Sequence, residues 1–276
     1  RLPIHVNLEQ RHDGYLELCL ARGRRHGREM PESGCRRAFF MHVMNMRVLL
    51  ILVLLMPAWL HAAITYVASA ENGGNATSIS LTVPAGPTTI AGDFMIVQVA
   101  VHENNGVLPA ITPPAGWTSL RRTDTTNNEL RQEIFYKFVS SADPGTSMTW
   151  TLVSGGNNRR VSAGMMVFRG VDSLAPIDAE SGQANASSTS VTAPAITTTT
   201  ANTMLVGLFA TARSSNFTAL SGSMTLVVDR NSGGGGGGTT VGGGYASLAA
   251  AGATGTRVAT AADADDNIGQ LVALRQ

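Results

Sequence analysis

One stretch of the chain repeats another. Asn75–Ala100 aligns without gaps on Asn185–Ala210, at an offset of 110 residues, with eleven of 26 positions identical. The identities include Asn75/Asn185, Pro84/Pro194, Thr88/Thr198 and Ala91/Ala201. Beyond it, Gly116-Trp117-Thr118 meets Ser223-Met224-Thr225, and Gly164–Arg169 meets Gln270–Arg275. A duplicated segment constrains the fold strongly, because equivalent residues must face the same way in both copies. The repeat divides residues 63–276 into halves at about 64–172 and 173–276. Two arrangements fit: tandem immunoglobulin-like sandwiches, or one larger sandwich built by duplication. The joining segment, Val171–Ala186, is not an obvious linker, which favours one continuous body.

Each half reads as β structure. Ile79, Leu81 and Val83 alternate with Ser80 and Thr82; Met148, Trp150 and Leu152 alternate with Thr149 and Thr151. Leu130, Ile134, Tyr136 and Phe138 share a face opposite Arg131, Glu133 and Lys137. Phe94–Val101, Val161–Phe168 and Met204–Phe209 are apolar on both faces and are expected to be central strands. Turn signals fall at Glu103–Gly106, Thr125–Asn128, Ala142–Gly145, Ser154–Asn158 and Asp263–Asn267. No amphipathic helix is evident after residue 62. The expectation is an all-β fold, a β-sandwich of jelly-roll or immunoglobulin-like type.

The first 47 residues differ in kind. They carry nine Arg and five acids, net +4, against net −3 for residues 48–276. Both cysteines, Cys19 and Cys35, lie here. Arg47 precedes thirteen uncharged residues, Val48–Leu60, and then His61-Ala62-Ala63. A basic start, a short apolar stretch and small residues predict a signal peptide over 41–62, too short to span a bilayer. Residues 1–40, without evident strand alternation, are expected to be over-extended upstream translation. A secreted or cell-surface chain without disulfides then holds itself by core burial. The low overall charge gives no footprint for nucleic acid.

Several residues carry the resemblance to a known module. Pro113-Pro-Ala-Gly-Trp117, Phe135-Tyr-Lys137, Phe168-Arg-Gly-Val-Asp172 with Pro176 and Asp178, and Met204-Leu-Val-Gly207 resemble a recurrent module of secreted bacterial and phage-encoded surface proteins. The resemblance covers nearly all of 64–276. It implies an extracellular β-sandwich used in adhesion or surface architecture, and it brings no catalytic residues. This chain departs from the pattern at Gly233–Gly238.

The side chains offer little for catalysis. His102 is the single histidine after residue 61, and no G-x-S-x-G elbow occurs. Zinc would need several His or Cys ligands. Gly233–Gly238 lacks the Lys of a phosphate loop and is expected to be a flexible loop. Glu129 with Glu133, expected on one strand face, and Asp172 with Asp178, expected in one loop, are the carboxylate pairs open to a glycoside hydrolase. Asp263, Asp265, Asp266 and Asn267 place four oxygen-bearing side chains in one expected turn, a candidate Ca²⁺ site. Trp117 and Trp150 are the candidates for stacking on sugars, and both also fit the core. Arg121-Arg122 and Arg159-Arg160 are expected to guard strand ends against edge pairing. Asn75, Asn185 and Asn216 head N-x-[ST] triplets. The reading that follows is a non-enzymatic structural or adhesive surface module, without an obligate cofactor. Its partners would be extracellular polymers or other surface proteins. A glycan-binding module and an extracellular glycoside hydrolase are the alternatives.

Overall fold

A computed structural model of the chain describes residues 4–10, 16–22, 63–104, 107–153 and 157–276. The chain divides into two units, Arg1–Leu60 and His61–Gln276. The signal segment 41–62 and Cys35 lie outside the described residues.

In the first unit, β1 (Ile4–Gln10) pairs antiparallel with β2 (Leu16–Arg22), with Val6 opposite Leu20 and Leu8 opposite Leu18. This corrects the expectation that residues 1–40 lack strand alternation. Ile4, Val6 and Leu8 alternate with polar residues, and so do Leu16, Leu18 and Leu20 with Glu17, Cys19 and Ala21.

The second unit is built of antiparallel sheets. Its first half contains β3 (Thr65–Ala76), β4 (Ser78–Thr82), β5 (Phe94–His102), β6 (Ala110–Thr112), β7 (Thr118–Asp124), β8 (Leu130–Phe138), β9 (Ser147–Val153) and β10 (Arg159–Arg169). A five-stranded sheet runs β3-β10-β5-β8-β7, and a three-stranded sheet runs β4-β9-β6. The second half contains β11 (Ile177–Ala193), β12 (Thr197–Thr198), β13 (Thr203–Thr211), β14 (Phe217–Leu220), β15 (Thr225–Asn231), β16 (Thr240–Leu248), β17 (Gly252–Ala253) and β18 (Arg257–Leu274). Its large sheet runs β11-β18-β13-β16-β15, the same order as the first half. The small sheet also has a counterpart. The end of β11 pairs the start of β18, Val191 opposite Ala259, and β14 flanks it with Phe217 opposite Ala261. Strands that are separate in the first half are continuous in the second, bent by register shifts between Asn185 and Ser190.

Three cores result. Met95, Val97, Val99, Phe135, Trp150, Met165 and Val167 fill the space between the two sheets of the first half. Val191, Ala193, Leu205, Phe209, Leu271 and Ala273 do so in the second. Phe94, Ile96, Met166, Phe168, Met204, Val206, Val272 and Leu274 pack together where the two large sheets face each other. This is why the central strands are apolar on both faces: one face serves its own half, the other the junction. The halves therefore form one continuous body. Repeat-equivalent residues face alike. Trp117 and Met224 are both buried, Met165 and Leu271 point into their own sandwiches, and Met166 and Val272 point into the junction. Burying each large side chain contributes about 1.5–3 kcal/mol, ample to fix the register.

The rims of the large sheets meet as well. Along β3 and β15, Ser69 Oγ donates to Val227 O (3.0 Å) and Asp229 N–H donates to Glu71 Oε2 (3.0 Å), while Tyr66 stacks on Tyr245 of β16 at 4.8 Å. A Cβ at Gly73 would collide with the Asn231 carbonyl, so glycine permits this close approach. Along β7 and β11, Arg121 pairs with Glu180. Side chains thus satisfy edge groups that would otherwise be open to strand addition. Ile64–Ala70, which could have been a pairable N-terminal strand, lies against β10 with Thr65 opposite Arg169.

Both halves point the same way. Thr65 meets Arg169, and Asp172 N–H donates to Arg275 O (2.9 Å), so Ile64, the 170–176 crossing and the residues after Leu274 share one end. At the opposite end, Asn127 Nδ2 reaches Asp266 Oδ2 (2.7 Å) and Arg160 Nη1 reaches Ser232 O (3.4 Å), joining the loops of the two halves.

Candidate functional site

Polar side chains concentrate where the two large sheets meet and at the end where the loops of both halves gather. Within the junction, three glutamines interrupt apolar strands. Gln98 Nε2 donates to Gly242 O (2.9 Å), Gln132 Nε2 to Gln98 Oε1 (2.6 Å), and Gln270 Nε2 to Gln132 Oε1 (3.2 Å). All three are fully buried. A buried amide needs partners because desolvating it alone costs about 1–3 kcal/mol. For Gln98 a sequence signal was present: a Gln inside a strand apolar on both faces has no route to water. Toward the loop end the polar path continues, with Ser162 Oγ donating to Thr239 O and Thr239 Oγ1 donating to Thr211 O, each at 2.9 Å.

At the loop end, His102 closes β5 opposite Arg160 of β10. His102 is 4% exposed, and its Nδ1 has no partner among the described residues. The next residue, Glu103, pairs with Arg159. Gly233–Gly238 sits beside them as a defined turn rather than the expected flexible loop. Gly233, Gly234 and Gly235 have φ of 71°, 94° and 59°, and Gly235–Gly237 makes one 3₁₀ turn. Glycine is the residue that holds consecutive positive φ without strain. Ser214 Oγ donates to Gly233 O (2.6 Å) and Ser214 N–H to Gly235 O (3.0 Å), which docks the turn on the β13–β14 connection.

The expected turn at Asp263–Asn267 is instead part of β18. Asn267 is fully buried, its Nδ2 donating to Ser188 O (3.2 Å) and Asp265 O (3.0 Å), its Oδ1 accepting from Asn185 Nδ2 (2.9 Å). Asp263 and Asp265 face Arg213 at 3.7 and 3.8 Å, while Asp266 accepts from Asn127. The four side chains thus have protein partners of different kinds. Among the described residues no group of three or more His, Cys, Asp or Glu is placed to hold a metal.

Trp117 and Trp150 form an edge-to-face pair at 5.0 Å inside the first-half core, 8% and 0% exposed. Neither presents a ring face on which a sugar could stack. The carboxylate pairs also separate. Glu129 lies in the turn before β8, not on its face; Glu133 on the strand accepts from Ser119 Oγ (2.7 Å). Burial pushes Glu133 up, and the Ser119 hydroxyl and Arg122 offset this only in part. Asp172 caps its own loop through Leu174 N–H (2.8 Å). Asp178 belongs to β11 and holds the 199–200 bend, accepting from Thr199 N–H and Oγ1 at 2.6 Å each. Burial raises Asp178, but these hydrogen bonds outweigh it and leave the group below its ordinary value.

Each of the four arginines is engaged by a partner. Arg121 and Arg160 each cross to the other half, Arg122 pairs with Asp124 at 3.3 Å, and Arg159 pairs with Glu103. Of the N-x-[ST] asparagines, Asn75 and Asn216 are exposed and Asn185 is half-buried. No family model, curated protein or solved structure matches this chain.

Proposed function

We propose that the chain is a non-catalytic extracellular surface module, structural or adhesive, which presents the loop end of its double sandwich outward. The observation that carries this reading is the placement of Ile64, the 170–176 crossing and Arg275 at one end, with the loops of both halves at the other. Attachment through Ile64 or Arg275 then leaves the opposite end free. The paired strand orders support two fused jelly rolls derived by duplication, with β7 and β15 on the large sheets. The apolar run before Ala62-Ala63 supports export, and the resemblance of 64–276 to secreted surface modules agrees with it.

The test is adhesion. Beads coated with the chain through its N-terminus should be retained on surfaces of extracellular polysaccharide, and beads coated through a cysteine introduced at Asn127 should not. Equal retention in both orientations removes the loop end from the reading. Turnover of a polysaccharide by the soluble chain would replace the reading with the hydrolase.

A further inference from the structure

We infer that the mouth between the two sandwiches, at the loop end, is a binding site for a single carboxylate group of an acidic polysaccharide, with Arg160 and His102 as its principal contacts. The inference rests on the reading of this end as the displayed one.

Side-chain alternation along β5 runs Phe94, Ile96, Gln98 and Ala100 into the junction, so His102 continues that face. Ser162, two residues after Arg160 on β10, faces the junction too, donating to Thr239 O. His102 and Arg160 are therefore cross-strand neighbours on the junction face at its loop end. The histidine is 4% exposed with an unpartnered Nδ1, an arrangement that a ligand oxygen would satisfy. The Arg160 guanidinium lies over Gly234 and reaches Ser232 O; among the described residues no carboxylate pairs with it. Asn104 Nδ2 and Arg213 Nη1 border the same turn, 3.5 and 3.7 Å from where a Cβ would stand on Gly237 and Gly236. Asn104, Arg160 and Arg213, drawn from both halves, thus border one glycine turn, and open space lies beside its Gly235.

The neighbouring charges select the ligand. Arg213 is already shared between Asp263 and Asp265, and Arg159 is matched by Glu103. Among the described residues that leaves Arg160 as the cation without a carboxylate partner, enough for a monoanion and too little for a phosphate dianion. A planar carboxylate fits the guanidinium fork in two parallel hydrogen bonds. On the displayed end of an adhesive module, its source is a uronate of an extracellular polymer.

The experiment titrates the full chain, labelled in its imidazole nitrogens, with an oligogalacturonate, its methyl-esterified form, and inorganic sulfate. The His102 signal is identified by its loss in His102→Gln. The uronate oligomer should shift that signal saturably and the ester should not. Arg160→Gln should weaken binding about tenfold or more, at an unchanged melting midpoint, while Arg122→Gln leaves it unaltered. Equal response to the ester, an unaffected Arg160→Gln, or sulfate shifting His102 as strongly as the uronate would each overturn the assignment. The two readings fail separately. Beads that adhere equally to esterified polymer, with His102 silent, end the carboxylate site and leave the adhesive module; a shifted His102 without orientation-dependent adhesion does the reverse.

Discussion

Replacing Trp150 with alanine should cost about 3–5 kcal/mol of folding stability. The indole is fully buried between the large and small sheets of the first half, edge-to-face with Trp117 at 5.0 Å and tilted against Phe135 at 6.4 Å. A buried Trp removes about 150–250 Å² from water, and an aromatic pair adds about 0.5–1.5 kcal/mol. At about 25 cal/mol per Å² the area alone gives roughly 4–6 kcal/mol as an upper figure. A second substitution refines the magnitude. The Trp150 Nε1 has no hydrogen-bond partner among the described residues, so the native state already carries a desolvated donor, at about 1–3 kcal/mol. Trp150→Phe removes that donor while keeping most of the ring, and should cost about 1 kcal/mol or less. The assay is urea unfolding followed by far-ultraviolet circular dichroism, with the m-value unchanged so that the midpoint shift reports stability. A Trp150→Ala midpoint indistinguishable from the native one would refute the packing account.

Other perturbations test other parts of the body. Gly73→Ala should weaken the β3–β15 rim by more than a surface glycine replacement, about 1–3 kcal/mol, because the obstructing atom is the Asn231 backbone carbonyl; a neutral or stabilising result in the same unfolding assay would contradict it. Arg131→Ala leaves the Asp124 carboxylate, which Arg131 holds at 2.8 and 2.9 Å, to Arg122 alone and removes a donor to Pro109 O, so a loss of about 1–3 kcal/mol is expected. Burial raises Asp143, yet hydrogen bonds from Lys137 and Ser140 N–H outweigh it and hold the group below the ordinary value of an aspartate. A lowered folded value means the unfolded chain binds the proton first, so this stabilisation is present above about pH 4 and is lost as pH falls. Asp143→Asn should therefore flatten the stability profile below pH 4, measured by melting temperature across pH 2–6; an unaltered acid limb would argue against the assignment. Asp229 behaves oppositely. Burial raises it, the Phe217 N–H lowers it less and Glu71 raises it further, so Asp229→Asn should stabilise the chain increasingly as pH rises above 4.

The strand periods were readable because each β residue answers to a face. Ile79, Leu81 and Val83 are buried as their alternation requires, and Phe94–Val101 is buried on both faces. What this pattern could not reveal was the second face's partner. An apolar strand looks the same whether a small sheet, a second sandwich or another chain covers it, so the junction core emerges only from the three-dimensional pairing. The Asp263–Asn267 segment misled for a related reason. Asp, Ala and Asn read locally as a turn, yet β18 carries them across from the small sheet to the large one, and Asn267 supplies the amide contacts that the shifted register needs. Arg121 and Arg160 were visible as charges but not as bridges, since their partners Glu180 and Ser232 lie 59 and 72 residues away. Of the loop-end cleft, His102 and the glycine run were conspicuous; their proximity was not, because it depends on how two copies of one fold face each other.

The shared end of Ile64 and Leu274 also sets how the body would respond to being pulled. Tension between those two points bears first on the terminal rungs, Thr65 against Arg169 and Leu274 against Ile177 and Met204. It draws edge strand β3 away sideways from β10, so hydrogen bonds there fail one after another instead of sharing the strain. Such geometry makes a poor link in a chain that transmits traction. It suits a body that stays out of the path of force.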